Sequence, residues 1–168
     1  HADLIVLAGD LTTHGLVDEA AVLADACRVV DTPVLAVLGN HDQPRIAGRV
    51  GRGQARIAAM LLLTLRGTPT IYYGDEIGMP QVPIPPDRLR DPFERNVPGL
   101  GCGRDGARTP MQWDATPHAG FSPVEPWLPV ASGFATVNVE RERLDSTSIY
   151  NLHRRLIAVR RRSPSLQV

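Results

Sequence analysis

Apolar residues open the chain in a short run, Asp3 to Leu11 (DLIVLAGDL), which ends in Gly-Asp and predicts a buried parallel strand. Leu16, Ala20, Leu23, Cys27 and Val30 then recur at alternating steps of four and three, the spacing of an amphipathic helix. Pro33 to Leu38 (PVLAVL) predicts a second buried strand, closed by Gly39-Asn40-His41-Asp42. From Gln54 to Arg66 nearly every side of a helical wheel is apolar, which predicts a helix wedged between other elements and stopped by Gly67. Thr68 to Tyr73 (TPTIYY) predicts a third strand, again ending in Gly-Asp, with Pro69 at its start where a missing donor is tolerated. Between Gly78 and Ser132 proline and glycine displace any periodicity, so a long irregular segment is expected. A last helix is predicted from an Asp145 cap, with Ile149, Leu152, Leu156 and Val159 as its apolar stripe. Five arginines between Arg154 and Arg162 fall on its other, solvated faces.

Strand and helix alternate, so the fold class is α/β with a parallel sheet. In such folds chemistry gathers where strands end at their carboxyl side, and here three predicted strands end in GDL, GNHD and GDE. Composition narrows the picture by exclusion. At 168 residues, 43% hydrophobic and 21% charged, this is one ordinary globular domain or a piece of one. The longest apolar run, Ile57 to Leu63, is far shorter than the roughly 18 residues a bilayer span needs, so no membrane partner is expected. Every basic residue is arginine, and the 18 of them balance 18 carboxylates to zero net charge, which argues against a nucleic-acid surface. Cys27 and Cys102 make neither a disulfide framework nor a zinc site, and a reducing, cytoplasmic compartment is the default expectation. The sequence starts at His1 and stops just past a helix, which reads as a fragment.

NHDQPR at 40–45, LLLTLRGTPTIYYGDEIGMP at 61–80, RTPMQWD at 108–114 and AGFS at 119–122 resemble the alpha-glucosidase branch of glycoside hydrolase family 13. The resemblance implies that residues 40–168 are the C-terminal part of that family's catalytic TIM barrel, from the end of strand seven through helix eight. It implies that Asp42 is the third active-site carboxylate, holding sugar hydroxyls and stabilising the transition state. His41 would donate to the same sugar, and Arg45 would lie beside the site. It also implies that the nucleophile and the general acid belong to strands upstream of this stretch. The substrate would then be a small α-glucoside or oligosaccharide, with no cofactor, and the chain alone would hydrolyse no glycoside.

Residues 1–42 resemble something else. LIVLAGDLTTHG at 4–15, followed by LGNHD at 38–42, is similar to the calcineurin-like metallophosphoesterases. That resemblance implies a βαβ unit in which Asp10 and Asn40 are metal ligands and His41 protonates the leaving group. Two divalent ions of the manganese, iron or zinc type would be the cofactors. The rest of such a ligand set is missing: the five histidines are His1, His14, His41, His118 and His153, and none forms an H-x-H pair. The two resemblances meet at GNHD, so the chain reads as a chimera joined between about residue 33 and residue 42. Three functions stay open: an α-glucosidase-type hydrolase, a metal-dependent phosphoesterase, and an inert fragment.

Other features have plainer readings. Asp75 and Glu76 are adjacent carboxylates, but the resemblance gives them a structural place at the barrel rim. Gly101 to Gly106 satisfies G-x-G-x-x-G without the preceding strand a phosphate cradle requires. Trp113 and Trp127 either border the sugar site or pack. Cys27 belongs to a core stripe, and His14 to a turn. With too few strands to close a barrel of about 250 residues, the chain is expected to be weakly stable by itself.

Overall fold

The computed structural model describes residues 5–8, 34–37, 41–65, 67–99 and 103–166. The helix expected over Leu16 to Val30, together with Asp10, His14, Cys27, Asn40 and Cys102, lies outside the described residues. Two strands, β1 (Ile5–Ala8) and β2 (Val34–Val37), pair in parallel with Ile5 opposite Val34 and Ala8 opposite Val37. Both fall inside the apolar runs that predicted them, and parallel pairing needs the long crossover that separates them.

Helix α1 spans Ile46–Thr64, beginning at Ile46 rather than the expected Gln54. Gly48, Gly51 and Gly53 hide its first turns from a reading based on propensity. The helix breaks at Gly51 (φ 79°, ψ 161°), a conformation open to glycine because it has no Cβ. Ala47, Ala55, Ala59, Leu62 and Leu63 are buried, whereas Ile57 and Met60 remain about half exposed. The described residues of the helix are therefore buried along one side, with Ile57 and Met60 on the other.

The expected third strand does not form among the described residues: in Thr68 to Tyr73 only Thr70 makes an isolated bridge. An extended run becomes a strand when a neighbour takes its backbone groups. Here the Tyr73 carbonyl is taken by the Arg45 side chain instead, and the chain turns at Gly74 into a 3₁₀ turn, Asp75–Ile77.

The proline- and glycine-rich segment is irregular yet tightly built. It carries 3₁₀ turns at Pro86–Arg88, Asp105–Ala107 and Pro117–Gly120, and a short helix α2 (Pro92–Asn96) capped by Asp91, whose carboxylate accepts from Phe93 N at 3.1 Å. Ile77 and Met79, both fully buried, pack with Met111, Val139 and Tyr150 into one small core.

Helix α3 (Val139–Leu144) starts at Asn138, whose side chain accepts from Arg141 N. Helix α4 (Ile149–Arg162) is capped by Ser148 rather than by Asp145, with Ser148 Oγ accepting from Asn151 N at 3.1 Å. Asp145 instead accepts from the backbone and hydroxyl of Thr147, in the turn that joins α3 to α4. Ile149 of the predicted stripe is buried, Leu152 and Leu156 are partly covered, and Val159 is half exposed. His153 takes a buried place on the same helix. Ile149 meets Ala47 and Ala55, and so joins α4 to α1. Arg160 is not on a solvated face: it donates to the carbonyls of Leu63, Leu65 and Gly67, satisfying the open C-terminal end of α1.

Candidate active site

His41 and Asp42 stand in a turn just before α1. Their side chains meet, His41 Nε2 lying 3.2 Å from Asp42 Oδ2, and both are open to solvent at 62% and 49% exposure. Two guanidinium groups converge on the other carboxylate oxygen: Arg104 Nη1 donates to Asp42 Oδ1 at 3.1 Å and Arg108 Nη2 at 3.3 Å. Arg108 Nε also donates to the His41 carbonyl at 3.2 Å. The result is an exposed carboxylate whose orientation is fixed by charge-assisted hydrogen bonds.

Arg104 is held from behind. Its Nε and Nη2 donate to the two oxygens of Asp91 at 2.8 and 2.7 Å, and its backbone N reaches the same carboxylate at 2.9 Å. Asp91 is buried, and the Arg104 hydrogen bonds hold its carboxyl well below the usual carboxylate range, overcoming the cost of burial. Asp105 completes the support by accepting from the backbone of Arg90 and Asp91 at 2.6 and 2.8 Å. The G-x-G-x-x-G stretch thus contributes Arg104, which pairs with the Asp42 and Asp91 carboxylates, and Asp105, which accepts from backbone amides.

Arg45, expected beside the site, is fully buried. Its guanidinium carbon lies 5.2 Å from the Tyr72 ring centre and 4.6 Å from that of Tyr73. From that position it faces aromatic rings and offers no surface to a sugar. Asp75 is also buried, and burial pushes its carboxyl up to about 7, with Glu76 adding to the rise and Arg45 opposing it. A carboxylate so enclosed does not contact a substrate, in keeping with a structural place. Trp113 is half exposed and Trp127 is 69% exposed, so neither is a packed core residue.

Arg104 and Arg108 are site residues that the sequence reading missed. The available signal was RTPMQWD, which begins at Arg108, and the charged Arg104-Asp105 pair in a glycine-rich stretch. Among the described residues no group of three or more His, Cys, Asp or Glu side chains is placed to hold a metal. Asp10 and Asn40, the ligands of the phosphoesterase reading, lie outside those residues.

Comparison with known proteins converges on one family. The alpha-amylase catalytic-domain family matches residues 10–168. The oligo-1,6-glucosidase of Halalkalibacterium halodurans is 38% identical, over 73% of this chain and 26% of that protein. The alpha-glucosidase of Apis mellifera is also 38% identical, over 74% of this chain and 23% of that protein. Among solved structures, the trehalulose synthase MutB from Pseudomonas mesoacidophila MX-45 superposes with a TM-score of 0.72 at 32% identity, over 89% of this chain and 31% of that one. The chain spans about a quarter of the length of the curated relatives it matches. The family match starts at residue 10, within the stretch that resembles a metallophosphoesterase. None of these relatives supports that resemblance, a chimera or a metal centre. By sequence and by superposition alike, this chain belongs to the alpha-amylase family, as part of its α/β-barrel catalytic domain.

Proposed function

We propose that residues 40–168 supply the sugar-holding side of an α-glucosidase active site, as the terminal βα units of an incomplete barrel. The observation that carries this reading is the Asp42 carboxylate, half exposed and gripped by His41, Arg104 and Arg108. Hydrolysis of an α-glucoside passes through a cationic, oxocarbenium-like transition state, which a fixed carboxylate stabilises. The imidazole and the two guanidinium groups beside it supply donors for sugar hydroxyls. The same chemistry requires a carboxylate nucleophile and a second carboxyl acid about 5–5.5 Å apart. On this reading both come from barrel strands outside residues 40–168, and no cofactor takes part. The domain division at about residue 42 belongs to the same proposal, with residues 1–42 as a separate βαβ segment.

The test is a segment exchange. Residues 41–166 replace the matching stretch of the Halalkalibacterium halodurans oligo-1,6-glucosidase, and hydrolysis of nitrophenyl α-glucoside is followed. The expected result is an active hybrid that loses at least about 100-fold in kcat on Asp42→Asn, with an unchanged circular dichroism spectrum. A correctly folded but inactive hybrid, or an Asp42→Asn hybrid of full activity, overturns the reading. The 168-residue chain alone is expected to cleave neither nitrophenyl α-glucoside nor bis-nitrophenyl phosphate with manganese above a His41→Ala control.

A further inference from the structure

We propose that Arg45, buried, and the Tyr72 and Tyr73 rings packed on it form a clamp that sets Arg108 against Asp42, which makes the three of them positioning residues of the sugar site. The inference rests on the reading of Asp42 given above and assigns a function to side chains that reading leaves unused.

A closed circuit of contacts carries it. Three residues after Asp42, the Arg45 guanidinium is buried against both tyrosine rings, and Nη1 donates to the Tyr73 carbonyl at 2.5 Å. The rings pack edge to face, with centres 4.7 Å apart and planes at 62°. Their hydroxyls then reach the loop that bears Arg108: Tyr72 donates to the Ala107 carbonyl at 3.1 Å and Tyr73 to the Thr109 carbonyl at 2.8 Å. The carbonyls on either side of Arg108 are therefore both tied down. Arg108 in turn donates to Asp42 and to the His41 carbonyl, which closes the circuit.

Space-filling does not account for the arrangement. Arg45 Nε and Nη2 are buried without a hydrogen-bond partner among the described residues, a costly state that an apolar side chain of similar volume avoids. What the guanidinium supplies is a flat cation that orients two rings at once while donating to the backbone between them and the next turn. The packing leaves it no latitude. Gly74 (φ 87°) follows Tyr73, and a Cβ there would stand 2.5 Å from Met79 Sδ and 2.7 Å from Arg45 Nη1. The amide of Arg45 is fixed as well, donating to Gln81 Oε1 at 3.2 Å.

The experiment reads Arg108 directly. In the folded segment-exchanged enzyme, the Arg108 Nε–H resonance is assigned with Arg108→Lys, and its solvent exchange is measured by nitrogen-15 NMR in the parent hybrid and its Tyr73→Phe and Tyr150→Phe variants. Tyr73→Phe keeps the ring and removes only the hydroxyl bound to Thr109. The expected result is exchange faster by about five- to tenfold in Tyr73→Phe and unchanged in Tyr150→Phe, as the loss of one hydrogen bond implies. Equal exchange in the parent and Tyr73→Phe, or equal acceleration in both variants, overturns the clamp. A second readout uses the segment-exchanged enzyme, in which kcat/KM is measured for Tyr73→Phe, Arg108→Gln and the double variant. Non-additive losses are expected, because the two changes remove one device; additive losses count against it. An inactive parent hybrid would defeat the α-glucosidase reading, while the exchange measurement would still decide the clamp.

Discussion

Asp75 and His153 are buried titratable groups whose effects on stability oppose each other. Burial raises the Asp75 carboxyl from 3.8 to about 7, so between those values the unfolded chain has lost a proton that the folded chain keeps. Stability then falls as pH rises through that window, and the penalty is complete above it. Burial lowers His153 below its ordinary 6.5, against a smaller opposing pull from its bond to the Ile149 carbonyl. In acid the unfolded chain therefore binds a proton that folded His153 refuses, and stability rises with pH toward neutrality. Asp75→Asn removes the first effect and keeps the shape. The variant is expected to exceed the parent by about 1–3 kcal/mol at pH 8 and by almost nothing at pH 4. Chemical denaturation at the two pH values checks this, and a gain of equal size at both would show that charge burial is not the cause.

At the level of elements, a loop without periodicity is shaped by carboxylates acting on backbone amides. Asp91 caps α2 and pairs with Arg104, while Asp105 accepts from the amides of Arg90 and Asp91. Removing the Asp91 carboxylate deletes a cap and leaves Arg104 without its principal partner. Asp91→Ala is therefore expected to cost about 3 kcal/mol in urea unfolding and to loosen Arg104 from Asp42. Because Asp91 is held ionised in the fold, its stabilisation is present above about pH 4 and is lost as pH falls below that. These contacts also explain what the sequence showed. His41 and Asp42 were legible as neighbours in a contiguous motif, and α4 through its stripe. Arg104 and Arg108 were not, because they lie 62 and 66 residues beyond Asp42 and are delivered by side-chain bonds that leave no period in the sequence. Arg45 was placed beside the site through the resemblance carried by NHDQPR, whereas its burial depends on two tyrosines nearly thirty residues away, which no local pattern shows.

At the scale of the molecule, the apolar surface covered among the described residues is small and divided. Among the described residues, one buried cluster joins Ala47, Ala55 and Ile149, and another joins Ile77, Met79 and Met111. Six of the fourteen buried hydrophobic residues among those described are alanines, each of which covers little area. Ile57 and Met60 on α1 and Val159 on α4 stay about half exposed, on the helices that pack against each other. The described strands form a two-stranded sheet, too narrow to be stable without further cover. These features suit a segment that completes a larger barrel, where the outer side of α1 and the strand edges meet neighbours. The 168-residue chain alone is expected to unfold over a broad thermal range, to bind a hydrophobic dye and to aggregate on heating. The same segment inside the hybrid glucosidase is expected to melt in one sharp transition. Calorimetry on both separates the cases: a sharp transition from the isolated chain, with calorimetric and van't Hoff enthalpies equal, would mean that residues 1–168 already bury a sufficient core without the remainder of a barrel.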